Sequence, residues 1–479
     1  MHILTKKGKY TDQVTRLIKQ CRDAMRKIVA DKKWITATPI LVGSESMAQE
    51  LINLGAQEVL AIGCAEGVRH TTLEEEVLSK LISHCMNLSF EGDMMDGIRG
   101  GEIALDHLNE QSLSLITTFD PDLKAYAFRA IFSESEQLAG RHVFGSRPAH
   151  WQALEDKIVI DDFWDQAGVK RAPSLCVDLN LESLERAYLK MNQGVGVVIA
   201  GDAKAGFHGG ATLTRWARSK EQLNLILSDL KLKCDQVRVM PLLEGVSCSM
   251  HGWVFPSGEY ISLRPCEMLV SFSDQDTRFE YHGASTLWRP SSEIKQEMEQ
   301  VVERAAQRLS NEYQYRGVFT VDGIATSQGF LPTELNPRFG GALGRMNAAL
   351  PELPLLTMHY ATVEGHDVGI SPHELRELMI SAAEAKPIVR GMMEIDEPCP
   401  QPQTLYFRRQ GDRWEQCNTP KDQEDDSTQS HHAQVKWGTA IRGSLLFAFI
   451  EPSYLNADMP SIGTVKTILL KAKKCLDLT

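Results

Sequence analysis

Residues 317–341 place the tightest constraint on how this 479-residue chain folds. Gly317-Val318-Phe319-Thr320-Val321-Asp322-Gly323 reads as a strand, residues 324–329 as its turn, and Phe330-Leu331-Pro332-Thr333-Glu334-Leu335 as the returning strand. That register brings Glu334 back beside Asp322. Strand alternation then sets Glu334, Asn336 and Arg338 on one face. Two carboxylates and an amide oxygen are hard donors suited to Mg²⁺, and Arg338 beside them offers a bidentate clamp for phosphate. The bland alternative, a solvated hairpin face that happens to carry charge, leaves the Glu-x-Asn-x-Arg spacing after an upstream Asp unexplained.

The remainder of the chain predicts α/β and α+β organisation in about three domains. Residues 1–150 read as a parallel α/β unit. An amphipathic helix over 10–34 is followed by a strand over 35–43, a helix over 44–54 and a strand over 58–63. Gly63 and Gly67 read as a plain turn rather than a phosphate contact, and the glycine-rich residues 92–101 as a mobile loop. Residues 151–365 mix both element types, with a helix over 151–167, a glycine-rich loop over 201–210 and a long helix over 292–313. Residues 366–479 read as a separate α+β appendage whose acidic stretch, 418–434, is a disordered loop. His431 and His432 lack companions for a metal site. Asp and Glu outnumber Lys and Arg by 63 to 51, giving a net charge of −12. That balance argues against nonspecific nucleic-acid binding. Scattered cysteines, no apolar leader at the N-terminus and no membrane-length apolar run predict a cytoplasmic protein.

On the hairpin motif the sequence resembles the ATP-grasp superfamily over residues 151–350, with residues 1–150 similar to its Rossmann-like pre-ATP-grasp domain. The resemblance implies two α+β subdomains clamping ATP. Asp322, Glu334 and Asn336 fall at the metal-ligand positions, for Mg²⁺ or alternatively Mn²⁺, and Arg338 falls at a phosphate contact. Lys157, ahead of a helix and Gly168-Val169-Lys170-Arg171-Ala172-Pro173, matches a phosphate-contacting lysine. The loop with Lys204, Gly206, His208, Gly209 and Gly210 matches the one that closes over phosphates, where glycine lets backbone N–H groups approach anionic oxygens. Leu242 and Leu243 match the hinge that reads adenine. Three positions depart from the pattern. Ala200 stands where the family has Lys, for which Lys204 is a candidate replacement, and Met240 and Ser247 stand at common Glu positions. Arg264, at the end of a strand expected to face the cleft, is a candidate for the γ-phosphate or a carboxylate. Arg345 and Asn347 are weaker candidates for substrate contact.

The resemblance implies an ADP-forming ligase that activates a carboxylate as an acyl phosphate and joins it to an amine. Its partners would be a small-molecule acid and an amino acid or peptide, in a homodimeric enzyme loosely similar to natural-product peptide ligases. The alternatives are a catalytically silent ATP-binding regulatory or scaffold protein, or an enzyme with a non-amine acceptor.

Overall fold

In the computed structural model, residues 1, 3–4, 8–68, 73–204, 206–207, 209–273, 276–417 and 432–478 are described. The first helix follows the apolar periodicity of its sequence. Thr11 accepts from the Val14 N–H at the N-cap of Asp12–Val29, and Val14, Leu17, Ile18, Cys21, Met25 and Val29 form its buried stripe. Four parallel strands follow in the order Leu81–Cys85, Glu58–Ala65, Lys33–Ile40 and Tyr126–Arg129. Strand Lys33–Ile40 is buried over six of its eight residues, as expected of a parallel strand covered on both faces.

Residues 92–101 are not the loop expected from their glycines. They begin the helix Met94–Asp106, started by a capping box in which Asp93 and Asp96 exchange side-chain and backbone hydrogen bonds. The glycines serve packing: a Cβ on Gly101 would sit 2.6 Å from the Pro39 side chain, and one on Gly100 2.6 Å from the Phe90 ring. The helix expected over 151–167 is likewise interrupted. It splits into Ala149–Gln152, a 3₁₀ turn Ala153–Glu155 and Ile160–Gln166, leaving Lys157 in the break.

Apart from a short antiparallel pair, Gln137–Leu138 with Arg141–His142, the remaining described strands form two antiparallel sheets. The smaller runs Leu175–Asp178, Gln236–Pro241, Val197–Gly201 and Thr214–Ala217. The larger has ten strands, beginning with Gly329–Asn336, Gly317–Thr326, Val246–Val254, Tyr260–Phe272 and Phe279–Ser285. It continues without interruption into Val389–Ile395, which pairs with Phe279–Ser285, and then into the remaining C-terminal strands. The segment read as a separate appendage therefore shares a sheet with the central strands. Most of its acidic stretch, with His431, lies outside the described residues, while His432 stacks on Tyr454 at 3.6 Å between ring centroids. No helix among the described residues is long and apolar enough to cross a membrane.

Gly63 shows why the first sheet tolerates no side chain at that point. A Cβ there would lie 2.4 Å from Cα of Leu41, where the helix Leu41–Asn53 begins. Backbone cannot yield as a flexible side chain can, so Gly63→Ala should destabilise the protein by about 1–3 kcal/mol, read as a lowered midpoint in denaturant unfolding.

Candidate active site

Asp322 and Glu334 are direct cross-strand partners, and a bulge makes them so. Ile324 opposes Leu331 and Gly323 opposes Pro332, but Asp322 opposes Glu334, leaving Thr333 as the extra residue. Both carboxylates consequently project from the same face. Ser249 Oγ donates to Asp322 Oδ1 at 2.5 Å and Asn336 Nδ2 to Asp322 Oδ2 at 2.9 Å. Lys157 Nζ lies 2.9 Å from Glu334 Oε1, and Arg338 Nη2 donates to Asn336 Oδ1 at 3.0 Å. Arg338 Nε also donates to Glu155 at 3.1 Å, and Arg147 pairs with the same carboxylate. Five residues of the sequence-derived set thus converge: Asp322, Glu334, Asn336, Lys157 and Arg338.

The electrostatics are uneven across this cluster. Withdrawal from water and, second, the charge of Glu334 raise the Asp322 carboxyl to about 7. Glu155 is also buried, yet Arg338 and Arg147 hold it below the usual carboxylate range. Burial works against the charge on Arg338, but Glu155, Glu334 and Asp322 outweigh it and raise its pKa. The Asp322–Glu334 face is therefore costly to charge, chiefly because it is withdrawn from water, in spite of two neighbouring cations. Two carboxylates and an amide oxygen that crowd one another in this way fit a divalent cation that keeps some of its waters. Among the described residues, no three or more His, Cys, Asp or Glu side chains are grouped to hold a metal ion, and the third oxygen on this face is the amide oxygen of Asn336, which accepts from Arg338.

The cluster opens into a cavity of about 570 Å³. Leu242, Leu243, Met240 and Ser247 line one part of it, and Gly209 and Gly210 another. The N-terminal region contributes Met94, Met95, Ile98 and Phe132, and the C-terminal region contributes Met392, Pro460 and Ile462. His251 lies on its wall with Nδ1 2.7 Å from Thr320 Oγ1, and burial drops its pKa to about 3, so the ring is neutral. Gly340 makes this wall possible, since a Cβ there would meet Thr320 Oγ1 at 2.3 Å and the His251 ring at 2.9 Å.

Among the described candidates, Lys204, Gly206, Arg264, Arg345 and Asn347 do not line the cavity. Lys204 is exposed, and its ammonium pairs with Asp235 at 2.6 Å. Arg264 is buried on the large sheet, where it donates to the carbonyls of Trp288 at 3.0 Å and Ala383 at 3.4 Å. It thereby serves the free carbonyl end of helix Pro372–Ala385, a common use of a cation. Gly206 packs beside Arg99, and His208 lies outside the described residues. The cation missing at Ala200 has a neighbour that sequence reading overlooked. Arg238 is the register partner of Ala200, lines the cavity, and is held by Asp161 at 2.7 Å.

The glycine loop is latched rather than free at its tip. The Phe207 ring stacks on Phe132 with centroids 4.9 Å apart and planes 2° from parallel, and Arg99 donates to the Phe207 carbonyl at 2.8 Å. Phe132 also carries the Arg338 guanidinium 4.9 Å from its centroid. Lys233 reinforces the contact from the small sheet's side, pairing with Asp93 at 3.1 Å and Asp96 at 3.0 Å.

Two outcomes follow from this geometry. In the unfolded chain the Asp322 carboxyl ionises near its ordinary value of about 3.9, so its raised folded value contributes stability below that pH and loses it as pH rises through about 7. Asp322→Asn should therefore raise the melting temperature relative to the native protein more at pH 8 than at pH 5. Millimolar MgCl₂ at pH 8 should stabilise the native protein but not the variant, as scanning calorimetry will show. For the latch, an aromatic pair is worth roughly 0.5–1.5 kcal/mol, so Phe132→Ala should speed hydrogen exchange around Phe207 by about two- to tenfold.

No protein-family model and no curated protein matches the chain. Solved structures do. The ADP complex of N5-carboxyaminoimidazole ribonucleotide synthetase superposes with a TM-score of 0.52 at 11% identity, over 94% of this chain and 98% of that one. The biotin carboxylase domain dimer of Hydrogenobacter thermophilus 2-oxoglutarate carboxylase, with MgADP, ADP and bicarbonate, superposes with a TM-score of 0.54 at 13% identity, over 88% and 86%. The likeness runs through the N-terminal parallel sheet as well as the central antiparallel sheets. This chain has the ATP-grasp fold, preceded by the parallel α/β domain that accompanies it.

Proposed function

We propose that the protein is an ATP-dependent ligase that converts a carboxylate to an acyl phosphate and transfers the acyl group to an amine, releasing ADP and phosphate. The observation that carries this reading is the convergence of Asp322, Glu334 and Asn336 with Lys157 and Arg338 on one cavity that the glycine loop and the hinge also line. Under this reading residues 1–150 and 151–365 supply the two walls of the cleft, and residues 366–479 close it through Met392, Pro460 and Ile462.

A carboxylate is a poor acylating agent until its oxygen is phosphorylated, and the task of the protein is alignment and charge neutralisation. A divalent cation bound by Asp322, Glu334 and Asn336 would neutralise charge on the nucleotide's phosphate oxygens. Lys157 and Arg338 meet the transferring phosphoryl group, exchanging contacts with Glu334 and Asn336 for contacts with phosphate oxygens. Glu155 and Arg147 keep Arg338 in place during that exchange, because its Nε stays bonded while Nη2 turns to the ligand. Leu242 and Leu243 seat the adenine. No protein nucleophile is needed, and His251, neutral and buried, is a poor base for one.

The test is incubation with Mg-ATP, hydroxylamine and a pool of amino acids, short peptides and other small acids. Substrate-dependent ADP together with a hydroxamate is expected. Lys157→Ala and Glu334→Gln should each lower turnover by about 100-fold or more while circular dichroism stays unchanged, since each removes charge stabilisation rather than core volume. AMP and pyrophosphate as products overturn the mechanism. Nucleotide binding with no turnover across a broad pool favours a silent ATP-binding protein.

A further inference from the structure

The strands Tyr260–Phe272 and Phe279–Ser285 divide their side chains by face in an unusual way. Leu269 is fully buried in the C-terminal core. Ser271 bonds to Glu280 and His282, and Lys466 of the C-terminal helix reaches Ser271 Oγ at 3.1 Å and Glu280 at 3.3 Å. The intervening residues Met268, Val270, Phe272, Phe279 and Tyr281 line the cavity instead, and among the described residues they join no hydrophobic core. Four of them are half-buried, and Phe272 is 38% exposed. A sheet with one open side ordinarily turns its apolar residues inward and its polar ones to water. Here polar residues meet the covering helix and apolar ones face the open cavity. That exposure costs hydration free energy which an apolar ligand would recover.

A second bulge sets this face. Met268 opposes Ala284 but Val270 opposes Tyr281, so Phe279–Ser285 carries one extra residue. The bulge turns Tyr281 and Phe279 to the side that Met268 and Val270 share. Met392 extends the wall from the next strand, because its neighbour Gly391 faces the C-terminal helix, where a Cβ would meet Val465 at 2.3 Å. In sheet order these strands stand two, three and four places from that of Asp322, about 10–20 Å at ~4.8 Å per strand. Tyr281 marks the join with the charged cluster: a Cβ on Gly341, just past Arg338, would lie 3.5 Å from its hydroxyl. At the other end the Phe272 ring packs on Trp216, with centroids 4.5 Å apart. Charge is confined to the hairpin end. Of the charged side chains that line the cavity outside the Asp322 cluster, Arg238 is held by Asp161. Glu267 accepts from the Ser461 and Ile462 N–H groups at 2.8 Å and 3.1 Å.

We propose that this wall selects a monocarboxylic acid with an apolar body, which rests on Val270, Phe279 and Met392 while its carboxylate points to Lys157 and Arg338. One charge on the acid meets the charged end of the cavity. A second charge on its body would meet only the apolar wall, and an unpaired charge taken from water is costly. The same cavity therefore reads both the presence of a carboxylate at one end and the absence of charge at the other. The role of this acid as a substrate rests on the ligase reading, whereas its binding does not.

The test is calorimetric titration of the full chain, with and without Mg-ADP, by butyrate, hexanoate and octanoate, and by adipate and hexylamine. Affinity should rise about tenfold for each two-carbon step, as burial of two methylenes provides. Adipate should bind at least about tenfold more weakly than hexanoate. Val270→Asn and Met392→Gln should each flatten the chain-length dependence to about threefold per step or less while Mg-ADP affinity stays within about twofold. Val270→Phe, apolar but larger, should shift the preference to a shorter acid, which loss of folding would not do. A flat dependence in the native protein, or one that survives both polar variants, overturns the wall. Adipate binding as tightly as hexanoate does the same. Displacement of octanoate by Mg-ADP would assign the wall to the nucleotide and overturn the proposal. Hexylamine binding as tightly as hexanoate overturns the choice of an acid. Chain-length selection with no ADP or hydroxamate formed from any of these acids would leave the wall standing and count against the ligase reading. Turnover confined to short polar acids would do the reverse.

Discussion

The single extra residue at Thr333 governs the chemistry available to this fold. The pleat has a period of two, so an unbulged ladder would set Asp322 opposite Thr333 and turn Glu334 and Asn336 to the other face. With the bulge, two carboxylates share one face, at an electrostatic cost that their surroundings must offset. Lys157 and Arg338 do so directly. Arg147 and Glu155 do so one step removed, by holding Arg338. Three carboxylates thus meet three cations, yet Asp322 still holds its proton to about 7, so compensation at that end is incomplete. Burial is the larger part of that shift, and under the proposed function a divalent cation would supply the charge that draws the proton off.

Lys157 and Phe132 show how separate parts of the chain are brought to that face. Lys157 sits where the helical run of residues 149–166 breaks, and the break frees its side chain to lie along Glu334 instead of on a helix surface. Phe132, from the N-terminal domain, is sandwiched between Arg338 and Phe207, so one ring touches both the charged cluster and the glycine loop. Displacing Phe207 removes one face of that sandwich. Loop position and the packing of Arg338 are therefore coupled through a contact worth only about 1 kcal/mol, weak enough for a ligand to tip.

Much of this arrangement was legible in the sequence because it rests on local pattern. The alternation of residues 317–336 and the Glu-x-Asn-x-Arg spacing identify the hairpin and its charged face, although the bulge that delivers the register has no sequence signature. The helix Met94–Asp106 was missed because three glycines outweighed an Asp-x-x-Asp capping box, and their value lies in contacts with Pro39, Phe90 and Ile441 that no local pattern shows. Lys204 and Arg264 were misplaced for a related reason. Each is a cation near the cleft in sequence, but one finds Asp235 and the other a helix's carbonyl end. Phe132 was invisible because its partners, Phe207 and Arg338, come from other segments of the chain, and Arg147 because the Glu155 it meets matters only through Arg338 of the distant hairpin. The continuity of the C-terminal strands with the central sheet was hidden in the same way.

Ala200, where the resemblance leads one to expect a lysine, leaves the strand that leads into the glycine loop without a charge of its own. A lysine there would bring a free positive charge to the strand that leads into the glycine loop. Its register partner Arg238 supplies a guanidinium to the same wall, but Asp161 binds that group through both its Nε and Nη2, and the Thr333 carbonyl takes Nη1. The pair contributes close to no net charge, and Arg238 acts instead as a strut between the small sheet and the bulge. Lys204, the other nearby cation, is neutralised by Asp235 at the surface. Under the proposed function, the positive charge that the protein itself offers to phosphate then falls on Lys157 and Arg338, both already engaged with acidic or amide partners. Such a site releases its cations only to a ligand that also satisfies Glu334 and Asn336, which a nucleotide arriving with its own divalent cation can do and a bare anion cannot.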